Sequence, residues 1–425
     1  MGDRQSTMED VERLTMATLC RFCNHELKQK FCDLGVSPLA NSYLTAEQLN
    51  HPEVFYPLRA YVCSNCLLVQ LAEFESPEAI FGEYLYFSSY SQFWLDHARN
   101  FVSGAIERFS MDASDQVIEI ASNDGYLLQY FVEAGIPSLG IEPAANIAAV
   151  AEQKGVPTRV GFFGTEMARR LVEEGSRADL LIGNNVLAHV PDLNDFVAGM
   201  AMVLAPCGRI TMEFPHLLQL IRCNQFDTIY HEHFSYFSLL AVTAIFQSHG
   251  LRIFDVDELP THGGSLRIYA CHDGSQTHET SPSVARLCDT ERAALLDTLH
   301  GYVAYPDRVE GVKHELLKFL IDARQQGLRT AAYGAPAKGN TLLNYCGIRG
   351  DLIDYTVDRS PHKQGRFLPG THLPIYGPDY IAETRPDYVV ILAWNLREEI
   401  MNDLSYIRDW GGQFVIPIPN LVVLA

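Results

Sequence analysis

From Gln116 onward the chain alternates short apolar runs with amphipathic ones, and this alternation restricts the possible folds more than any other feature. QVIEIASNDG reads as an apolar strand entering a glycine turn, and YLLQYFVEAG, ending at Gly135, has helical period. SLGIEP supplies a second strand, VPTRVGFF a third, DLLIGNNVLAHV a fourth and GRITMEFP a fifth. Strands alternating with helices build a parallel sheet covered on both faces, so the expected fold class is α/β, doubly wound. A helical bridge, SVARLCDTER through FLIDARQQGL, precedes a second series of the same kind: LRTAAYGAPAKGNTLLNYC, LIDYTVDRS, DYVVILAW and FVIPIP. The opening residues differ, being poor in helical period and rich in cysteine, proline and turn formers. A chain of 425 residues can bury three cores, and we expect domains at 1–75, 76–281 and 282–425.

Apolar content of 47% and charged content of 20% are those of a folded soluble protein. A formal charge of −20 disfavours nucleic acid or an anionic membrane as partner, and leaves room for an anionic small molecule only where a local basic pocket receives it. No run reaches the ~18 apolar residues of a membrane span. MGDRQSTMEDVERL mixes acids with bases and has no apolar centre, so no signal peptide is expected and the protein reads as cytoplasmic.

Two of the cysteine pairs are CRFC, Cys20 and Cys23, and CSNC, Cys63 and Cys66. In a reducing compartment paired CxxC units are metal ligands more often than disulfides. Four thiolates around Zn2+ would staple a domain too small to hold itself, and a site closed by four protein ligands is structural. Buried free cysteines are the alternative.

EIASNDGYLL, residues 119–128, resembles the first motif of S-adenosylmethionine-dependent methyltransferases: an acid on the first strand, then a glycine-containing turn. The turn, Ser122, Asn123, Asp124 and Gly125, lets backbone approach the methionine part of the cofactor. Glu119 or Asp124 can pair with its ammonium. Glu142 in GIEP, ending the second strand, is positioned for both ribose hydroxyls. A nicotinamide enzyme would use the same acid but would want GxGxxG, and one glycine stands here where three are needed. Phe162 and Phe163 are placed either to flank an adenine or to fill core. In NNVLAHVPD, Asn184, Asn185 and His189 sit at the strand end where ligands of such sheets bind.

The segment IYHEHFSYFS, residues 229–238, packs Tyr230, His231, Glu232 and His233 together. Its histidines lack the i, i+4 spacing of HExxH, which argues against a catalytic metal. With CRFC/CSNC, EYLYFSSYS, EIASNDG, HGGSLR and YGAPAKGN in this order, the chain resembles the three-domain C-methyltransferases of deoxysugar biosynthesis, which act on thymidine-diphosphate-linked 4-ketohexoses, typically at C-3. The resemblance implies a zinc-binding domain, a Rossmann-like methyltransferase domain and a second Rossmann-like domain closing on a nucleotide sugar. It implies His233 as the base for the C-3 proton, Glu232 and Tyr230 near the sugar ring, and Tyr84 at the phosphates or the keto oxygen. His189 could bond the enolate oxygen or the cofactor. No redox cofactor is implied.

Methylating carbon needs a base for the proton and stabilisation of the enolate, which is chemistry that histidine and tyrosine can supply. In HGGSLR, Arg267 is either directed at an anion or part of a plain turn. YGAPAKGNTLLN is a glycine-rich turn opening a helix, suited to a diphosphate through backbone N–H groups, with Lys338 as a point charge and Asn340 as a hydrogen-bond partner. Lys363 and Arg366 lie in DRSPHKQGRFLPG at the next strand end. An O- or N-methyltransferase of small metabolites and a non-catalytic zinc-ribbon binding protein are the competing functions. The oligomeric state stays open.

Overall fold

The computed structural model describes residues 18–73, 88–90 and 92–425. Its strands form three sheets. The first joins β1 (Gln29–Ser37), β2 (Tyr56–Val62) and β3 (Val69–Leu71) in antiparallel pairs, with β3 at one side also paired to β9 (Ser235–Tyr236). Val69 faces Tyr236 and Gln70 faces Ser235 across that last pair. A strand from the middle of the chain therefore completes the N-terminal sheet, which local sequence pattern does not reveal.

The second sheet contains β4 (Val117–Ile120), β5 (Ser138–Glu142), β6 (Thr158–Val160), β7 (Ala178–Asn184), β8 (Leu204–Pro215), β10 (Leu251–Leu259) and β11 (Ser265–His272), in the order β10-β11-β8-β7-β4-β5-β6. The pairs among β4 to β8 are parallel, and β11 and β10 add an antiparallel flank. Every residue of β4 is buried, as expected of a central parallel strand covered on both faces. Helices Gln92–Phe109 and Leu128–Glu133 supply one cover, and Thr165–Glu173 and Leu193–Val203 the other. Because β4 lies between β5 and β7, the connections leave it in opposite directions, and a crevice opens at the carboxyl ends of these three strands.

The third sheet has β12 (Thr330–Tyr333), β13 (Thr356–Val357), β14 (Ile375–Tyr376), β15 (Tyr388–Ile391), β16 (Gln413–Ile416) and β17 (Val422–Leu424), ordered β14-β13-β12-β15-β16-β17 and parallel except at β17. The bridge divides into helices Pro282–Ala293 and Tyr305–Gln325. The first starts where Ser281 Oγ accepts from Ser283 N–H, with proline at the first turn, where its missing N–H does no harm.

The N-terminal unit shares its apolar residues with both neighbours. Phe31 stacks on Tyr305 of the long helix, centroids 4.6 Å apart and planes 4° from parallel, in a cluster that continues to Leu342 and Val390. On its other side Leu27 and Leu68 join the core of the second sheet. Main-chain bonds also weld the first unit to the third: Leu44 and Phe367 exchange both N–H···O bonds, at 3.0 and 2.9 Å.

Candidate active site and zinc centre

A cavity of about 590 Å³ is lined by residues from all three units. The crevice of the second sheet forms one end: Ile120 ending β4 with Ala121 and Asn123 beyond it, Glu142 at the end of β5, Phe162 and Phe163 after β6, and Asn184 ending β7 with Asn185 beyond it. The other end gathers Asn41, His189, Tyr230, Glu232, His233, His262, Lys338 and Lys363.

The turn after β4 explains how a single glycine suffices. Ala121 has φ 56° and Asn123 φ 49°, so two residues with side chains occupy the left-handed region beside Gly125 at φ 74°. The backbone thus follows a tight path that dinucleotide-binding turns reach with more glycines. Glu142 Oε2 accepts from Asn123 N–H and Oε1 from Ala144 N–H, each at 2.9 Å, which aims the carboxylate at the cavity mouth of the turn. Burial pushes this carboxyl upward, while the two N–H groups oppose the shift. Both amide atoms of Asn184 and Oδ1 of Asn185 are buried without a hydrogen-bond partner among the described residues. Unsatisfied buried amides cost about 1–3 kcal/mol, and here they face a cavity a ligand can enter. S-adenosylmethionine fits this set: hydroxyls for Glu142, and polar edges for the asparagines.

Other residues of the motif stay behind the turn. Glu119 is 1% exposed and outside the cavity lining, its carboxyl pushed well up by burial and by Glu142 and Asp124 nearby. Asp124 is buried outside the cavity lining, paired with Lys154 at 2.9 Å and with the Ser89 hydroxyl, so its charge is balanced by a lysine. Ser122 packs under the turn against Gly140, where a Cβ would lie 2.3 Å from its Oγ, and Gly125 lies against Val156.

At the far end, the carbonyl partners decide the histidine tautomers, because a carbonyl only accepts. His233 Nδ1–H donates to Thr228 O at 2.9 Å, so in the neutral ring Nε2 is the basic nitrogen and accepts from Tyr230 O–H at 2.8 Å. His189 Nδ1–H donates to Glu232 O at 2.7 Å. The two rings meet edge to face with centroids 4.7 Å apart. Burial holds His233 well below the usual imidazole value, with His189 adding to the effect, and burial lowers His189 to about 4. Both rings are neutral at physiological pH. Glu232 Oε1 accepts from Asn41 Nδ2 at 3.2 Å, and burial raises its carboxyl. His231 turns away, its Nε2–H donating to Pro57 O.

Main-chain pairing positions this segment. Leu71 N–H donates to Phe234 O and Phe234 N–H to Ala188 O, so residues 230–236 are fixed between the first sheet and the end of β7. From the third unit, Lys338 Nζ lies 4.5 Å from the Trp394 ring centroid and donates to Asn395 Oδ1 at 2.7 Å. Lys363 Nζ donates to Ala335 O at 2.9 Å; burial works against its charge, but Tyr43 and Asp358 outweigh it and raise the ammonium.

Two expected substrate contacts lie elsewhere. Arg267 pairs with buried Glu213 and covers the Phe101 ring, which makes it part of the sheet interior. Asn340 is 1% exposed and donates to Ala40 O at 2.6 Å, joining the third unit to the first. Tyr84 lies outside the described residues. Asn41 and Trp94 join the cavity with no motif to announce them, and His262 joins it from HGGSLR, the segment in which Arg267 was the residue singled out.

Away from the cavity, the ligand atoms of Cys20, Cys23, Cys63 and Cys66 all lie within 4.8 Å of one another, with Cys20–Cys66 and Cys23–Cys63 sulfurs 3.5 Å apart. Tetrahedral Zn–S bonds of about 2.3 Å put sulfurs about 3.8 Å apart, so the four fit a zinc ion. Gln70 Nε2–H reaches Cys20 Sγ at 3.1 Å while its Oε1 accepts from Arg21 N–H, which fixes the first knuckle in place.

Three family models match in order: "Putative zinc binding domain" over residues 20–81, "Methyltransferase domain" over 94–256 and "C-methyltransferase C-terminal domain" over 260–419. The C-methyltransferase NovU of Streptomyces niveus is 36% identical over 406 residues, covering 96% of each chain. Among solved structures, the magnesium protoporphyrin IX methyltransferase of Synechocystis PCC 6803 with bound SAM has TM-score 0.32 at 15% identity, over 41% of this chain and 78% of that one. The PH0226 protein of Pyrococcus horikoshii OT3 has TM-score 0.36 at 16% identity, over 47% and 99%. With its zinc-binding, methyltransferase and C-terminal units in that order, and a relative matched along nearly its whole length, the chain belongs to the S-adenosylmethionine-dependent C-methyltransferases.

Proposed function

We propose that this C-methyltransferase acts on a thymidine-diphosphate-linked 4-keto-deoxysugar, and that His233 removes the C-3 proton. The observation that carries the reading is the neutral imidazole of His233, its Nδ1–H fixed on Thr228 O and its Nε2 on Tyr230, in the same cavity as Glu142. A proton next to a ketone is acidic enough for such a base once the developing oxyanion is stabilised. Tyr230 can relay the proton, its oxygen taking it as its own O–H passes to Nε2, and Asn41 orients Glu232 through a hydrogen bond. S-adenosylmethionine, when bound, supplies an electrophilic methyl; Glu142, Asn123, Asn184 and Asn185 would hold it. Lys338 and Lys363 favour a diphosphate at the third unit, which also accounts for an anionic substrate on a chain of charge −20. On this reading the domains divide at 1–75, 76–281 and 282–425, with the nucleotide sugar between the second and third.

The test is incubation with S-adenosylmethionine and a panel of thymidine-diphosphate 4-keto-deoxysugars, read by mass spectrometry for one added methyl and its carbon position. His233→Asn should lower turnover by roughly 10²–10⁴-fold with cofactor affinity unchanged. Near-normal turnover in that variant would remove His233 from the mechanism, and absence of methylation across the panel by the wild type would remove the substrate class.

A further inference from the structure

We propose that His262 donates a hydrogen bond to the substrate's carbonyl oxygen as that oxygen becomes an enolate, an inference that rests on the ketone reading above. Enolisation breaks a C–H bond, puts the proton on the base and shifts the electron pair through carbon onto the carbonyl oxygen. The growing charge needs a donor, and among the imidazoles and the tyrosine around the base the hydrogen bonds narrow the choice, Asn184 lying at the cofactor end and the two lysines on the third unit. His189 and His233 each direct their Nδ1–H to a main-chain carbonyl, so as neutral rings neither has an N–H left for the substrate. The Tyr230 O–H points at His233. His262 lines the same cavity, and its neutral imidazole always carries one N–H.

The backbone is built to present this ring. His262 sits in the left-handed region at φ 55°, ψ 14°, an uncommon conformation for a residue with a side chain and one that persists only when its surroundings hold it. They do so from both sides. Thr261 Oγ1–H donates to buried Glu213 Oε1 at 2.9 Å, and Glu213 is itself held by His97 at 2.9 Å and by Arg267. Gln225 Nε2–H donates to Gly263 O at 2.7 Å. Gly263, at φ 92°, passes so close to Trp394 that a Cβ would lie 2.5 Å from its ring. Trp94 covers the imidazole with centroids 5.0 Å apart. Burial, with Lys338 nearby, lowers His262 to about 4, which keeps the ring a neutral donor that need not lose a proton to do its work. The buried Glu213–Arg267 pair thereby has a function: it holds Thr261, and through it the loop that carries His262.

The experiment follows deuterium from D2O into the ketone substrate on the full-length protein without methyl donor, a readout of enolisation alone. His262→Phe keeps a ring against Trp94 and removes the N–H; His262→Asn restores an N–H on a residue type that tolerates positive φ. Loss of one oxyanion donor predicts exchange slower by about 10²–10³-fold in His262→Phe, carried in kcat, with S-adenosylmethionine affinity by calorimetry unchanged and most of the loss recovered in His262→Asn. Exchange at the wild-type rate in His262→Phe overturns the assignment, as does an Asn variant as slow as the Phe variant, which would reduce His262 to a shape-filling role. If the wild type itself takes up no deuterium from any ketone of the panel, the ketone reading falls and takes this inference with it. Wild-type exchange combined with an indifferent His262→Phe leaves that reading standing and removes His262 alone.

Discussion

Lowering the pH tests the histidine pair most directly. An imidazole at the usual value near 6.5 is about 9% neutral at pH 5.5, so a base of that kind would lose roughly tenfold in kcat/KM between pH 7.5 and 5.5. His189, lowered to about 4 by burial, stays about 97% neutral at pH 5.5. His233 is shifted in the same direction by burial and by His189 itself. The histidine pair therefore contributes no acid limb to kcat/KM from pH 7.5 to 5.5, its own limb being displaced below that window. The sign for stability runs the same way. A histidine whose folded value lies below its unfolded one stabilises the fold above about pH 6.5, and that contribution fades as pH falls toward 4, by at most roughly 3 kcal/mol for His189, whose ring borders a cavity open to water. Initial rates at pH 5.5 should accordingly be read beside a circular dichroism check that the chain remains folded. Asp227, bonded to Trp394 Nε1–H at 2.6 Å and raised to about 6 by burial, titrates inside the window, so the profile is repeated on Asp227→Asn. An acid limb with an apparent pKa between 6 and 7 in both proteins would refute the account of buried, neutral histidines.

Two further outcomes follow from the geometry. Glu142→Gln removes the charge of a carboxylate already oriented by two N–H groups; loss of charged hydrogen bonds worth about 1.5–3 kcal/mol predicts S-adenosylmethionine binding about 10- to 150-fold weaker, and unchanged affinity by calorimetry would remove Glu142 from the cofactor site. Cys63→Ser should reduce both bound zinc by metal analysis and the yield of folded protein, because the N-terminal unit shares its core with both neighbours; full zinc content and full activity would count against the four-thiolate clamp.

Local sequence patterns sufficed for the features whose physics is local. The CxxC knuckles are set by ligand spacing, β4 and β7 by apolar runs that a parallel sheet requires, and Glu142 by its place at a strand end. The left-handed turn was half hidden, because Asn123 belongs to a residue type that tolerates positive φ while nothing in the letters marks Ala121. Glu119 and Asp124 show the limit from the other direction: both are acids in the expected motif, yet neither lines the cavity, because Asp124 is taken up by Lys154 and Glu119 is buried beneath the turn. Likewise the HGGSLR and YGAPAKGN segments were visible as glycine turns, while burial assigned Arg267 to Glu213 and Asn340 to Ala40.

The sequence by itself marked the α/β class, the two cysteine pairs that come together and the cluster from Tyr230 to His233, because each follows from residue type and spacing at short range. Only the tertiary structure decided the cavity, since its walls come from three segments brought together by contacts between residues far apart in the chain: Asn41 reaching Glu232, β9 completing the first sheet, and Lys338 and His262 arriving at the same space from different units. Tautomers and charge states were decided there too, because they depend on which carbonyl each imidazole meets and how completely water is excluded around it.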